Sequence, residues 1–472
     1  MSAAGIQFRC LASTRVCEEE LGREVNCEEE LSREVKDGEE VDTEGKTASP
    51  KSDQRHVACI QNAQLSPDGT CIFTSDADRK FSVYAVAVDG LDNAAAKSLT
   101  PYAQFQSADP IWAFAANPRF NCRDSTTTTV LVSRRGQYIS LHNTLWNKSQ
   151  FYSDEAEFLQ TYKQTESPVD ISTKIEHYKL VSSTTEAVTG PLSLAYSRPG
   201  TSFYAGHRNS IAVFDIENRS GPIRTIKTIP STSNKLKGGG VGFKGDIAAL
   251  SVSPLDGTIA AGSRTRYVGL YDHRAKEQVT SFGLPGMLYE KKTHDPALEP
   301  MAGDGVTHMK WSPDGTYLYI AERKSDALLM YDVRNFSFAL GYCAGRAALT
   351  NQTLGFDVWG SWGGCVENQK HEIWAGGTDG RVRVWRDPYM AEGAVEPDEV
   401  LDVSGGEPDG GSVVASLVHK DGNLATIARG GRELRCGAES TGRGMRRGVR
   451  EWGSLDILGL ASNATTNENM AG

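Results

Sequence analysis

From about residue 56 onward, apolar residues come in short runs that alternate with polar ones and are punctuated by Ser, Pro, Asp and Gly. Such period-two patterning between turn signals predicts β-strands. One phrase recurs with variation. Residues 62–86 read NAQLSPDGTCIFTSDADRKFSVYAV, residues 192–217 LSLAYSRPGTSFYAGHRNSIAVFDIE, residues 248–274 AALSVSPLDGTIAAGSRTRYVGLYDHR and residues 306–334 VTHMKWSPDGTYLYIAERKSDALLMYDVR. Each copy predicts an apolar strand, a Ser-Pro-type turn, a second apolar strand, a polar turn, and a third strand ending near an aromatic-Asp pair. The distance from turn Ser to terminal Asp stays within 18 (Ser197 to Asp215), 19 (Ser253 to Asp272) and 20 (Ser312 to Asp332), so the unit is a genuine repeat.

Weaker copies begin at Ile111 and Leu354, and a seventh begins at Ser412 and resumes with SLDILGL at Ser454. A sheet of this size cannot bury both apolar faces alone. Seven placed radially bury them against one another, which predicts an all-β, seven-bladed β-propeller. Spacings of 57 (Asp215 to Asp272) and 60 (Asp272 to Asp332) exceed the roughly 40–45 residues of a lean WD40 unit, so the outer strands and their loops are long. The last blade needs an outermost strand to close the ring, and IQFRCLA at residues 6–12 is a candidate.

Charge divides the chain. Of a net −10, residues 1–53 hold 14 acidic and 7 basic side chains, net −7, leaving −3 for the other 419 residues. Residues 17–26 (CEEELGREVN) and 27–36 (CEEELSREVK) are a tandem duplication with too few apolar positions to bury. Residues 1–53 therefore read as an acidic, disordered tail, residues 54–460 as the WD40 propeller with loop insertions, and residues 461–472 as a disordered C-terminus. The nine cysteines are scattered and never form C-x-x-C, which argues against a disulfide frame or a zinc site. No apolar run approaches the roughly 18 residues of a membrane span, and the start lacks the pattern of a secretory signal.

VTHMKWSPDG at 306–315, ERKSDALLMYDVR at 322–334, GRAALTNQ at 345–352, SRTRYVGLYDHR at 263–274 and PDGTCIFTSDADRKFSVY at 67–84 stand out among the repeats. In order and spacing these segments resemble the telomerase Cajal body protein family of WD40 repeat proteins, including its splicing-linked fungal branch. The likeness runs through residues 57–430. It departs at the insert GSWGGCVENQK (360–370) and after Arg429. The resemblance implies a non-enzymatic propeller that binds a short box in small nuclear or small Cajal body RNA, telomerase RNA included, and escorts the particle to nuclear bodies. It also implies a nuclear protein with some cytoplasmic pool, whose partners are RNA and ribonucleoprotein proteins.

The residues alone also point to a surface. Turns between second and third strands must emerge together on one face of a propeller, and here they are basic. They offer Arg79 and Lys80, Arg134 and Arg135, His207 and Arg208, Arg264 and Arg266, Arg323 and Lys324, and Arg381, with Tyr267 and Phe81 as stacking neighbours. The loop entering the fourth blade adds Lys235, Lys237 and Lys244, and the C-terminal insertion adds Arg429, Arg432, Arg435, Arg443, Arg446, Arg447 and Arg450. A cationic ring of this kind displaces counterions from a phosphate backbone and stacks unpaired bases, which predicts salt-sensitive RNA binding by a monomer. The alternative is a protein-only scaffold gripping acidic or phosphorylated peptides, for instance in splicing complexes.

Other motifs read as scaffold. His308, Asp215, Asp272, Asp332, Trp311, Trp374 and Trp385 suit hydrogen bonding and packing within blades, whereas Trp112, Trp359 and Trp362 lie nearer loops. Residues 240–245 spell G-x-G-x-x-G but open into a strand, and residues 341–345 (GYCAG) mimic a nucleophile elbow without a following helix. Neither predicts catalysis. No cofactor, metal or small-molecule substrate is expected, and no membrane.

Overall fold

The computed structural model describes residues 6–15, 57–86, 96–145, 167–182, 185–229, 242–272, 278–285, 300–360, 370–405, 411–436 and 447–461. Strands account for nearly all regular structure, with 3-10 turns at Pro388–Met390 and at residues 300–301 and no α-helix among the described residues. They form seven antiparallel sheets of four principal strands, the seven-bladed propeller that the repeat predicts.

Blade one, from the axis outward, is Ile60–Leu65, Cys71–Asp76, Lys80–Ala85 and Ala103–Gln106. Blade two starts at Ile111–Ala116, blade three at Ser193–Tyr196, blade four at Ile247–Val252, blade five at Val306–Trp311, blade six at Phe356–Gly360 and blade seven at Ser412–Val418. Blades one, five and seven gain a short parallel edge strand (Val169–Asp170, Gly393–Val395 and Lys97–Ser98), each supplied by the following blade's loops.

The ring closes through the chain's first strand. Gln7–Ser13 is the outer strand of blade seven, antiparallel to Arg447–Ala461, with Gln7 opposite Ala461 and Ser13 opposite Asp456. The candidate closing strand is thus in place, inside the span read from composition as tail. The acidic duplication at 17–36 lies outside the described residues.

Seven apolar layers fill the seams between neighbouring sheets. Phe73, Phe81, Phe105 and Phe114 pack between blades one and two, and Tyr178, Phe203 and Phe214 between two and three. Leu11, Ile60, Ile72, Leu455 and Ile457 join blade seven to blade one. Ring pairs such as Phe203 and Phe214, 4.8 Å apart and 6° from parallel, supply area that aliphatic chains of the same length would not. Polar links cross the seams as well: Ser193 Oγ donates to Ile247 O at 2.9 Å and Ser416 Oγ to Trp374 O at 2.9 Å.

The Ser-Pro-Asp-Gly turns set the first hairpin of a blade. In blade one Ser66 Oγ donates to Asp68 at 2.6 Å, the Thr70 amide donates to the same carboxylate, and Gly69 takes φ 83°, a region costly to residues with a Cβ. With hairpin follow hairpin, first-to-second and third-to-fourth turns share one face. Second-to-third turns, and the links from one blade's outer strand to the next blade's inner strand, share the other.

A basic face as candidate nucleic-acid interface

The second-to-third turns place their basic residues on one face, but the side chains divide into two groups. Arg79, Arg135, Arg208, Arg264, Lys324 and Arg381 are exposed, Lys80 and Arg323 half-buried, and Lys244 is exposed in the loop entering blade four. In blades one to six the tight turns hold a left-handed residue near the tip, Asn209 (φ 57°) in blade three. Blades two and six use Gly136 (φ 66°) and Gly380 (φ 70°), whereas blades one, four and five carry Arg79 (φ 65°), Arg266 (φ 65°) and Lys324 (φ 50°). A side chain there costs about 1 kcal/mol that glycine avoids.

Arg264 and Arg323 form the tightest part of the face. The Arg323 amide donates to Gly305 O at 3.0 Å, and a Cβ at Gly305 would lie 2.4 Å from Arg264 O, so the turns of blades four and five are packed on the same glycine. Burial, and then the Arg264 guanidinium beside it, hold Arg323 below its usual value, with Asp304 partly offsetting. The like charge of Arg264 thus acts on Arg323 across two turns packed on one glycine, an arrangement that an anion would relieve.

The remaining predicted residues serve the fold. Arg134 is 3% exposed: its Nε donates to Ser107 Oγ at 3.1 Å, Nη1 to Ser140 Oγ at 2.5 Å, Nη2 meets His142 Nε2 at 3.0 Å, and its guanidinium lies 4.9 Å from the Phe105 ring centroid. It ends a strand with its side chain turned into the blade one–two seam, so it is a buried structural cation and not a surface ligand. Burial lowers it to about 10, and burial together with Arg134 lowers His142 to about 4.

Arg266 is likewise committed, forking onto Glu322 with both bonds at 2.8 Å and donating to Pro285 O at 2.6 Å. The Glu322 side chain is 1% exposed. Tyr267 is half-buried with its ring stacked on Phe243 at 5.9 Å, and Phe81 is wholly buried. His207 is half-buried, bonded to Ser210 Oγ at 3.0 Å, and burial lowers it, which disfavours its charged form. Lys324 and Arg381 have carboxylate neighbours, Asp304 at 3.3 Å and Asp402 at 3.8 Å, exposed pairs too weak to remove them from solvent.

Of the C-terminal arginines, Arg432 pairs with Glu451 and Arg429 is buried against Asp456 at 2.9 Å. The side chains of Arg435, Arg447 and Arg450, together with Lys235, Lys237, Arg443, Arg446 and Trp362, lie outside the described residues. The carboxylates Asp304, Glu322, Asp402 and Glu451 are what sequence reasoning missed; Asp304, two residues before the inner strand of blade five, shares a face with the turns and was legible from its position.

Five of the residues read as scaffold bond within or between blades, and Trp311 is buried in the core between blades four and five. His308 Nδ1 accepts from the Phe356 amide at 3.3 Å, Trp385 Nε1 donates to Val395 O at 3.0 Å and Trp374 Nε1 to Glu372 at 2.8 Å. Asp215 caps the Glu217 amide at 2.9 Å and Asp332 binds Arg334 at 2.6 Å. Gly341–Cys343 is a strand, and Cys343, fully buried, has its thiol pushed far above the usual range. The opposite face carries a groove of about 880 Å³ between blades three and four, lined by Arg198, Tyr204, Ile223, Arg224, Leu255 and others.

No family model matches the chain. Whole-chain comparison finds the guanine nucleotide-binding protein negative regulator 1 of Schizosaccharomyces pombe, 25% identical over 356 residues, covering 74% of this chain and 75% of that protein. It also finds telomerase Cajal body protein 1 of Mesocricetus auratus (23% over 332 residues) and of Homo sapiens (22% over 329 residues), each covering 69% of this chain. The chain is thus similar to WD40 proteins, telomerase Cajal body protein 1 among them. The chain spans about half the length of those mammalian relatives, 50% and 49%. The likeness read from segments of the sequence thus extends over roughly 70% of the chain.

Proposed function

We propose that this protein is a non-catalytic nuclear scaffold whose basic face binds small nuclear or Cajal body-type RNA, telomerase RNA among the candidates, and assists ribonucleoprotein assembly or localisation. The observation that carries the reading is the Arg264–Arg323 pair, with Lys244 exposed beside it and further cations at the turns of blades one, two, three and six. A polyanion gains from neutralising all of them at once, since each phosphate contact releases condensed counterions. The names of the relatives supply the nuclear-body context.

Filter binding of a looped small nuclear RNA between about 50 and 200 mM salt tests this. Affinity falls steeply with salt, and Arg264→Glu with Arg323→Glu abolishes retention while the protein stays folded. Unchanged binding by the double variant removes the ring from the argument. A second reading, an acidic or phosphorylated peptide as ligand, is favoured by the carboxylates already seated against Lys324 and Arg381. Pull-down of the same partners after RNase treatment supports it.

A further inference from the structure

We propose that the basic face reads RNA at the seam of blades one and two by stacking one unpaired base on Trp112, with the flanking phosphates between Arg79 and Arg135. This rests on the RNA-binding reading and assigns it a place. Trp112, the second residue of Ile111–Ala116, is 40% exposed while the rest of that strand is buried. Among the described residues only one other aromatic, Phe338, appears with the exposed large apolar side chains, and it lies in a third-to-fourth turn on the opposite face. Part of the indole packs on the fold and the rest faces solvent, an open π-surface that burial of the strand does not require.

Its surroundings are built. Arg79 Nη1 donates to Ala108 O at 2.5 Å, the Ser107 amide donates to Arg79 O at 2.9 Å, and the Arg135 amide donates to Pro110 O at 3.1 Å. Both arginine turns are therefore pinned to the short link that leads into Trp112. Gly190 seats the ring from below: a Cβ there would lie 2.2 Å from Arg134 O and 3.4 Å from Trp112 Cε3, so the indole edge is laid against backbone that only a glycine leaves open. An aromatic surface reached through a link that is bonded to two turns bearing exposed arginines suits a single-stranded nucleotide, whose base offers a π-face whatever its identity and whose phosphates lie on either side. A duplex would keep its bases from the ring.

The test uses the full chain and a looped small nuclear RNA carrying 2-aminopurine at successive loop positions. Stacking on Trp112 quenches the fluorescence at one position. Trp112→Ala restores that signal at saturating protein, weakens binding about 5- to 150-fold as loss of one stacked base does, and leaves the salt dependence unchanged. Trp112→Phe keeps most of the affinity. Arg79→Ala with Arg135→Ala instead lowers the slope of log affinity against log salt by about 1.4, two single-strand phosphates. Should Trp112→Ala bind within twofold of the parent while Arg264→Glu with Arg323→Glu abolishes binding, the stacking site is wrong and the RNA reading stands. Absence of RNA binding by the parent protein overturns both.

Discussion

Removing the carboxylate of Asp456 should open the ring. Its side chain is 1% exposed and gathers Arg429 Nη2 at 2.9 Å, Arg15 Nη2 at 3.2 Å and Ser13 Oγ at 2.5 Å. Ser13 and Arg15 lie at the end of the closing strand, while Asp456 and Arg429 lie in the adjacent strands of blade seven, so one carboxylate ties the two ends of the chain. The Arg429 side chain is 4% exposed, and Asp456→Ala leaves it charged and buried without its carboxylate, with the neutral Val403 and Ser404 carbonyls among its acceptors. Breaking a buried pair on one side costs about 3–5 kcal/mol. Arg15, at 35% exposed, is screened, and Arg15→Ala should cost under about 1 kcal/mol. Equilibrium urea unfolding measures both, and hydrogen exchange at Leu455 and Ile457 reports whether the closing strand detaches before the rest. Asp456→Leu with Arg429→Met should recover most of the loss, because no charge is then stranded. A destabilisation by Asp456→Ala of less than about 1 kcal/mol would refute the view that this carboxylate latches the ring.

Acid should weaken the fold well before its carboxylates titrate as a class. His142 and His308 are held neutral at about 4 and about 3, chiefly by burial and then by Arg134 and by Lys310 respectively. Their contribution is complete above about pH 6.5 and is lost progressively as pH falls from there to those values, about 3–5 kcal/mol each by linkage. Asp76 runs the other way: burial raises it to about 6, so its cost of about 3 kcal/mol is full above pH 6 and vanishes below about 3.8. Asp76→Asn should therefore stabilise at pH 8 and not at pH 3.5, read from urea midpoints; equal midpoints at pH 8 would contradict it. Arg266→Met should cost about 3 kcal/mol by stranding Glu322, yet change RNA affinity less than twofold, whereas a large affinity loss in folded protein would return Arg266 to the binding face.

The repeat was legible because each strand run is bracketed by its own turn chemistry. Ser66-Pro67-Asp68-Gly69 and its counterpart at residues 312–315 declare a hairpin without reference to any other blade. The alternation inside each run shows which side chains face a neighbouring sheet. Closure was only half visible. Residues 6–12 carry a strand pattern, but composition assigned them to the tail because the acidic segment that follows dominates the count, and the pairing of Ser13 with Asp456 spans almost the whole chain.

The basic face was legible as position and not as role. Turn placement follows from strand order, so every arginine of the second-to-third turns belongs near that face. Whether each points outward depends on a half-turn of the backbone: Arg134 and Arg135 are adjacent, and one is sealed beside Phe105 while the other reaches solvent. Sequence by itself determined the repeat, the hairpins and the side on which the charge collects, all of which depend on local bonding and short periodicity. Tertiary structure alone decided which cations remain available, because the Glu322 that neutralises Arg266 and the Gly305 that crowds Arg264 against Arg323 come from a different blade, and only the closed ring brings those partners within reach.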